Sequence, residues 1–158
     1  MRRGGYLLLI GSLGLLSGCA ILTDVFNPDT LPSFIAPDPG VVVVAFHNDS
    51  DFPAIMGGGV SFDSNLATFE IFGVTVGANS TISRVFDCPV TLISAGPPDG
   101  GVAAVVLTAD GIEVEGPGVP LTSGGFRCGD VVEIRLIQIG PGPAAEDYRI
   151  QVRVLPGR

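Results

Sequence analysis

Val41-Val42-Val43-Val44-Ala45-Phe46 is an unbroken apolar run, and four of its six residues are β-branched. Such residues suit a pleated surface, because their stiff side chains pack well against cross-strand neighbours. No polar residue alternates with them, so the run predicts a central strand buried on both faces. Gly40 precedes it, and His47-Asn48-Asp49-Ser50-Asp51 follows as a polar cluster that predicts a turn.

Downstream the pattern repeats. Apolar or alternating runs at 54–63, 67–76, 80–88, 90–95, 102–108, 112–115 and 131–139 are separated by Gly, Pro, Asn and Asp. Asp63-Ser64-Asn65 and Asp110-Gly111 read as hairpin turns, and Met56-Gly57-Gly58-Gly59 as a bulge or a close backbone approach. At the end, Tyr148, Ile150, Val152 and Val154 alternate with Arg149, Gln151 and Arg153, the pattern of a strand with one wet face. No segment after residue 40 carries a helical period. The expectation is an all-β domain over residues 41–158, an antiparallel β-sandwich of about eight strands, with a small β-barrel as the alternative.

Upstream, residues 19–40 read as a tether. Pro28, Pro32, Pro37 and Pro39 favour extended backbone. Twenty such residues span on the order of 60 Å. Phe26, Leu31, Phe34 and Ile35 are expected to dock in part on the domain, being a large apolar area to leave wet. Before the tether, Arg2 and Arg3 precede an apolar run from Tyr6 to Leu16, then the small residues Ser17 and Gly18. That order is the three-part pattern of a helical secretory signal peptide over residues 1–18. The run is shorter than the roughly 20 residues a membrane-crossing helix needs.

Leu16-Ser17-Gly18-Cys19 resembles the lipobox of bacterial lipoproteins, and the resemblance covers only the first 19 residues. It implies cleavage before Cys19, a diacylglycerol on the Cys19 thiol and membrane anchoring through lipid. Ala20, where some lineages use Asp for inner-membrane retention, implies the outer membrane or cell surface of a bacterial envelope. The mature domain resembles no family.

Two of the eight arginines precede Cys19 and all 16 acidic residues follow it, so the mature formal charge is −10, with no lysine in the chain. Such a surface repels nucleic acid and anionic headgroups. The expected partners are the membrane, through lipid, and another envelope protein or a glycan.

Cys88 and Cys128 remain once Cys19 is set aside, and an even pair in an exported domain predicts a disulfide. It would close a loop of roughly 40 residues, worth about 4 kcal/mol by chain entropy. Two free thiols or a metal site are the alternatives; a metal site needs further ligands, and the sole histidine, His47, is far off in sequence.

His47 reads as a strand-end residue beside a turn. Asn48, Asp49 and Asp51, with Asp63, are weak calcium candidates, since calcium takes six to eight oxygens and their spacing is not that of an EF-hand. Glu113 with Glu115, or Glu133 with Glu70, would be the pairs to test for glycoside hydrolysis. Glu113 and Glu115 share a face, and the chain has no Trp to stack a sugar. No nucleophile motif is present. The expectation is a non-catalytic domain with a structural or interaction role and no cofactor. A calcium- or glycan-binding module is the second reading, and a hydrolase using His47 the third.

Overall fold

The computed structural model describes residues 38–63, 68–142 and 144–157. The signal segment, Cys19, the tether to Pro37 and the turn residues Ser64 and Asn65 lie outside the described residues. Among the described residues the chain forms ten strands: β1 (Val41–Asp49), β2 (Ala54–Ser61), β3 (Glu70–Val76), β4 (Ser80–Asp87), β5 (Leu92–Ala95), β6 (Val102–Val106), β7 (Ile112–Glu115), β8 (Leu121–Thr122), β9 (Val131–Gln138) and β10 (Tyr148–Leu155). A 3-10 turn, Ala145–Asp147, precedes β10. The fold is an all-β sandwich whose edges curl toward a barrel.

One sheet has the order β10-β9-β1-β4. Its inner face carries Val42, Val44 and Phe46 of β1 with Val132, Ile134 and Leu136 of β9, all with no exposed surface. The other sheet has the order β7-β6-β2-β5-β8, and β3 pairs with the free edge of β2. Its contribution to the core includes Ala54, Met56, Val60, Val74 and Val76. Phe46 meets Phe72 edge-on at 5.8 Å between ring centroids, and Phe72 lies 5.4 Å from Phe86. That aromatic row ties β1, β3 and β4 across the interlayer space.

Three features depart from the sequence reading. β1 continues through His47, Asn48 and Asp49, because both of its neighbours supply backbone partners that far: Asn48 pairs with Ser80 of β4, and Asp49 with Ile137 of β9. The turn is confined to residues 50–53. Second, the β1·β9 ladder is parallel, the exception in an otherwise antiparallel fold. Third, Leu121–Thr122 forms a two-residue strand against β5 that no periodicity announces.

The glycines of β2 mark a close approach and not a bulge, since the β2·β3 register runs unbroken through Gly57, Gly58 and Gly59. A Cβ on Gly58 would lie 2.7 Å from the Phe46 ring. The register irregularity falls instead between Val102 and Ala104. β5 and β6 lie end to end on one edge of β2, facing Gly58–Ser61 and Ala54–Met56 respectively. They are one strand interrupted by an excursion. The chain leaves at Gly96, with φ +74°, and its amide donates to Gly57 O at 3.1 Å. Where the chain returns, only small residues fit: a Cβ on Gly116 would lie 2.6 Å from Ala95 O and 2.9 Å from Ala103 Cβ.

This knot of small residues generates a contrast. Gly116→Ala is expected to cost about 2 kcal/mol through overpacking against backbone. Gly124→Ala has open space around it and is expected to stay within about 0.5 kcal/mol of the parent. Urea unfolding midpoints of the two variants measure the difference.

Candidate functional site

Alternate residues of β1 point to opposite faces, so the extra turn of strand beyond Phe46 places His47 and Asp49 outward and Asn48 inward. On the outer face of the four-stranded sheet, His47 sits between Thr81 of β4 and Arg135 of β9 in the ladders. Its Nε2 meets Asp49 Oδ1, and its Nδ1 meets Thr81 Oγ1. A carboxylate only accepts, so Nε2 carries the proton, and Nδ1 then accepts from the Thr81 hydroxyl in the neutral ring. Asp49 Oδ2 in turn accepts from Arg135 Nη2 at 2.6 Å and Nε at 3.1 Å. Arg135 Nη1 lies 3.9 Å from Glu133 Oε2. His47 and Glu133 are nearly covered by their neighbours, at 7% and 6% exposure, although both lie on the outer face.

Hydroxyl, imidazole and carboxylate in that order match the order of a hydrolase relay. Acyl transfer also needs donors for an oxyanion and a recess for the acyl group. The relay lies on an open sheet face. Two cavities, of about 730 and 460 Å³, are lined by other residues. The arrangement locks side chains across three strands.

On the inner side Asn48 is fully buried. Its Nδ2 donates toward Phe52 O at 2.9 Å, Gly77 O at 3.0 Å and Val76 O at 3.3 Å. Its Oδ1 accepts from the Ser50 amide at 3.0 Å and the Ser50 hydroxyl at 2.7 Å. Asn48 thus fastens the β1–β2 and β3–β4 connections together. The weak calcium candidates are not brought to one point: Asn48 is spent inward on backbone, Asp49 is paired outward, and Asp51 is exposed with its amide on Gln138 Oε1. Among the described residues no group of three His, Cys, Asp or Glu is placed to hold a metal ion.

Cys88 and Cys128 form the disulfide, with Cα atoms 6.3 Å apart. They stand where β4 ends and just before β9 begins, on either side of the start of β1. There Cys88 N donates to Gly40 O at 2.9 Å, and Gly129 N donates to Val41 O at 2.7 Å. The larger cavity opens at this end, with Asp38, Phe126, Arg127 and Pro156 in its wall. Glu70 and Glu133 belong to different sheets. Glu113 and Glu115 are both exposed on one face of β7, as their spacing predicts. Sequence reasoning missed Thr81 and Arg135, whose roles depend on strand pairing.

At the far end of β10 the Tyr148 hydroxyl donates to Gly142 O at 2.9 Å. Burial, then the nearby carboxylates of Asp147 and Asp51, push its phenol above the ordinary value of 10.0.

No family model matches the chain, and no curated protein matches it. Among solved structures, it is similar to an NMR structure of a protein from Eubacterium rectale, with 16% identity and a TM-score of 0.38, covering 75% of this chain and 92% of that one. It is also similar to a structure described as a trapped toxin, with 10% identity and a TM-score of 0.37, covering 73% of this chain and 24% of that one. The membrane-binding domain of pneumolysin follows, with 9% identity and a TM-score of 0.33, covering 73% of this chain and 98% of that one. Likeness at this level carries no chemistry to the site.

Two outcomes follow from the polar groups. Asn48→Ala removes the side-chain donor to Gly77 O and the acceptor of the Ser50 amide, at about 1–3 kcal/mol for each unsatisfied group. A loss of at least about 3 kcal/mol in chemical denaturation is expected. For Tyr148 the folded state holds its proton more tightly than the unfolded chain. Its contribution is complete below the unfolded phenol value and drains away as pH rises through the folded one. Stability is therefore expected to fall at alkaline pH, and Tyr148→Phe to flatten that fall. The chain has no lysine, and its other tyrosine is Tyr6. Urea midpoints between about pH 9 and 12, with phenolate absorbance alongside, measure both.

Proposed function

We propose that this protein is a lipid-anchored lipoprotein of a bacterial envelope. It is exported, cut before Cys19 and acylated on the Cys19 thiol, and it carries its β-sandwich on a proline-rich tether. The domain serves structure or interaction and not catalysis. The observation that carries this reading is Leu16-Ser17-Gly18-Cys19 directly after the apolar run from Tyr6 to Leu16. More than one acyl chain makes such anchoring stable. A mature charge of −10 leaves no basic surface for headgroups, so the lipid does the anchoring. The outer membrane or cell surface is the proposed destination, following Ala20. The Thr81–His47–Asp49 chain argues against catalysis only through its setting, an open face with no recess.

Intact mass of protein from the native host's membrane fraction tests the anchor. The expected mass is that of residues 19–158 plus acyl groups, rising by about two daltons on reduction of the disulfide. Cys19→Ala is expected to release the protein from the membrane fraction. An unmodified Cys19 in the native protein withdraws the reading.

A further inference from the structure

Strand direction sorts the connections of the sandwich onto two ends. β1 and β9 run one way, and β4 and β10 return. β2 leaves the end at which β1 finishes; β3 and β6 return to it, and β7 leaves it again. Four connections therefore gather at one end: 50–53, 77–79, 107–111 and 139–147. The opposite end holds Asp38, the disulfide and Gly157, whose amide donates to Asp130 Oδ1 at 2.9 Å. The chain enters the domain at that end, so the four-connection end is the one opposite the point of attachment.

That end is fastened and partly apolar. Ile139 is 59% exposed and Leu107 is 42% exposed. Pro53 is exposed and Phe52 half-buried in the connection 50–53. Leu107 N donates to Pro53 O at 2.8 Å, and Asp51 N to Gln138 Oε1 at 3.0 Å. These bonds hold the segments that carry Ile139, Phe52, Pro53 and Leu107 side by side, and their exposed apolar residues form the ridge of this end. The Asn48 hub and the Asp147 carboxylate, which accepts from Gly142 N at 3.0 Å, hold the surrounding loops in one arrangement. A surface already ordered loses less entropy on binding.

Charge selects the occupant. The four connections contain Asp51, Asp110, Glu146 and Asp147 and no Arg or Lys. Asp51, Asp110 and Glu146 are exposed around the ridge. A second copy would bring acid against acid, and an anionic bilayer is repelled in the same way.

We propose that the Ile139–Phe52–Pro53–Leu107 ridge is a docking surface for a protein partner that offers an apolar centre with a basic rim. This names the partner class for the interaction role given above, and it does not depend on the lipid at Cys19. The test is photo-crosslinking of the full chain in its native cells, with benzoylphenylalanine in place of Ile139 or Leu107. Val119 and Val85, 75% and 61% exposed, are the control positions. One protein is expected to cross-link from both ridge positions and from neither control, through a segment rich in Arg or Lys. The pair Asp51→Asn and Glu146→Gln, both exposed, is expected to lower the adduct on the order of fivefold with an unchanged melting curve. Adducts from the controls alike, adducts to lipid or to a second copy, an acidic contact segment, indifference to the double substitution, or no adduct each overturns the proposal. A lipidated Cys19 with any of these outcomes removes the ridge and leaves the anchor. A ridge adduct with an unlipidated Cys19 does the reverse.

Discussion

β1 has a partner along both edges, β9 parallel and β4 antiparallel, and the rest of the sandwich takes its place from that double ladder. A strand bonded on both sides satisfies its backbone wherever it is buried, which a chain interior demands. The nine residues then divide by face. Val42, Val44 and Phe46 fill the interlayer space, Asn48 reaches into the base of two loops, and His47 and Asp49 lock the outer face. A substitution in β1 therefore acts through whichever layer its parity assigns it to. Slipping the register by one residue would put His47 in the core and Phe46 in water, so the ladder is strongly specified.

The disulfide belongs to the same constraint. Cys88 and Cys128 belong to the two segments that flank β1 where it begins, and the amides of Cys88 and Gly129 close on Gly40 and Val41 from either side. The bridge cross-links the neighbours of a strand and not the strand itself. The chain enters β1 directly from Asp38, and hydrogen bonds on both edges of β1 hold it in place. Holding β4 and β9 at fixed spacing keeps those edges in place. Chain entropy supplies stabilisation in addition, since the bridge closes a loop of 40 residues.

What was legible in the sequence was local. Alternation gave the face of β10 and of Glu113 and Glu115; the valine run gave β1; the Asp110-Gly111 signal gave the β6–β7 turn, where Gly111 has φ +66°. The paired cysteines gave the disulfide. What failed was non-local. His47-Asn48-Asp49 looks like a turn because Asn and Asp compete for their own backbone. Pairing with β9 and β4 outweighed that preference for the strand, while Asn48 Oδ1 still accepts from the Ser50 amide two residues on and its Nδ2 reaches the neighbouring loops. The parallel direction of β9 leaves no trace in period-two patterning. Thr81 and Arg135 are unremarkable residues in unremarkable strands until the ladders set them on either side of His47.

The hydroxyl–imidazole–carboxylate chain shows how far a resemblance of parts goes. In a hydrolase the relay's worth lies in its surroundings: a recess that holds the acyl group, donors aimed at the developing oxyanion, and exclusion of water. Here each member is spoken for by packing. Asp49 divides its oxygens between His47 and Arg135, and Arg135 also leans toward Glu133, so the guanidinium is shared between two carboxylates. Charged groups partly covered by their neighbours, as Arg135 and Asp49 are, are costly to leave unpaired and modest in net gain when paired. Their effect is register: only with Thr81, His47 and Arg135 in line do all the polar atoms find partners. The outer face thus repeats with polar groups what the core does with apolar ones, fixing one alignment of β4, β1 and β9, and the loops at the ends of those strands take their positions from it.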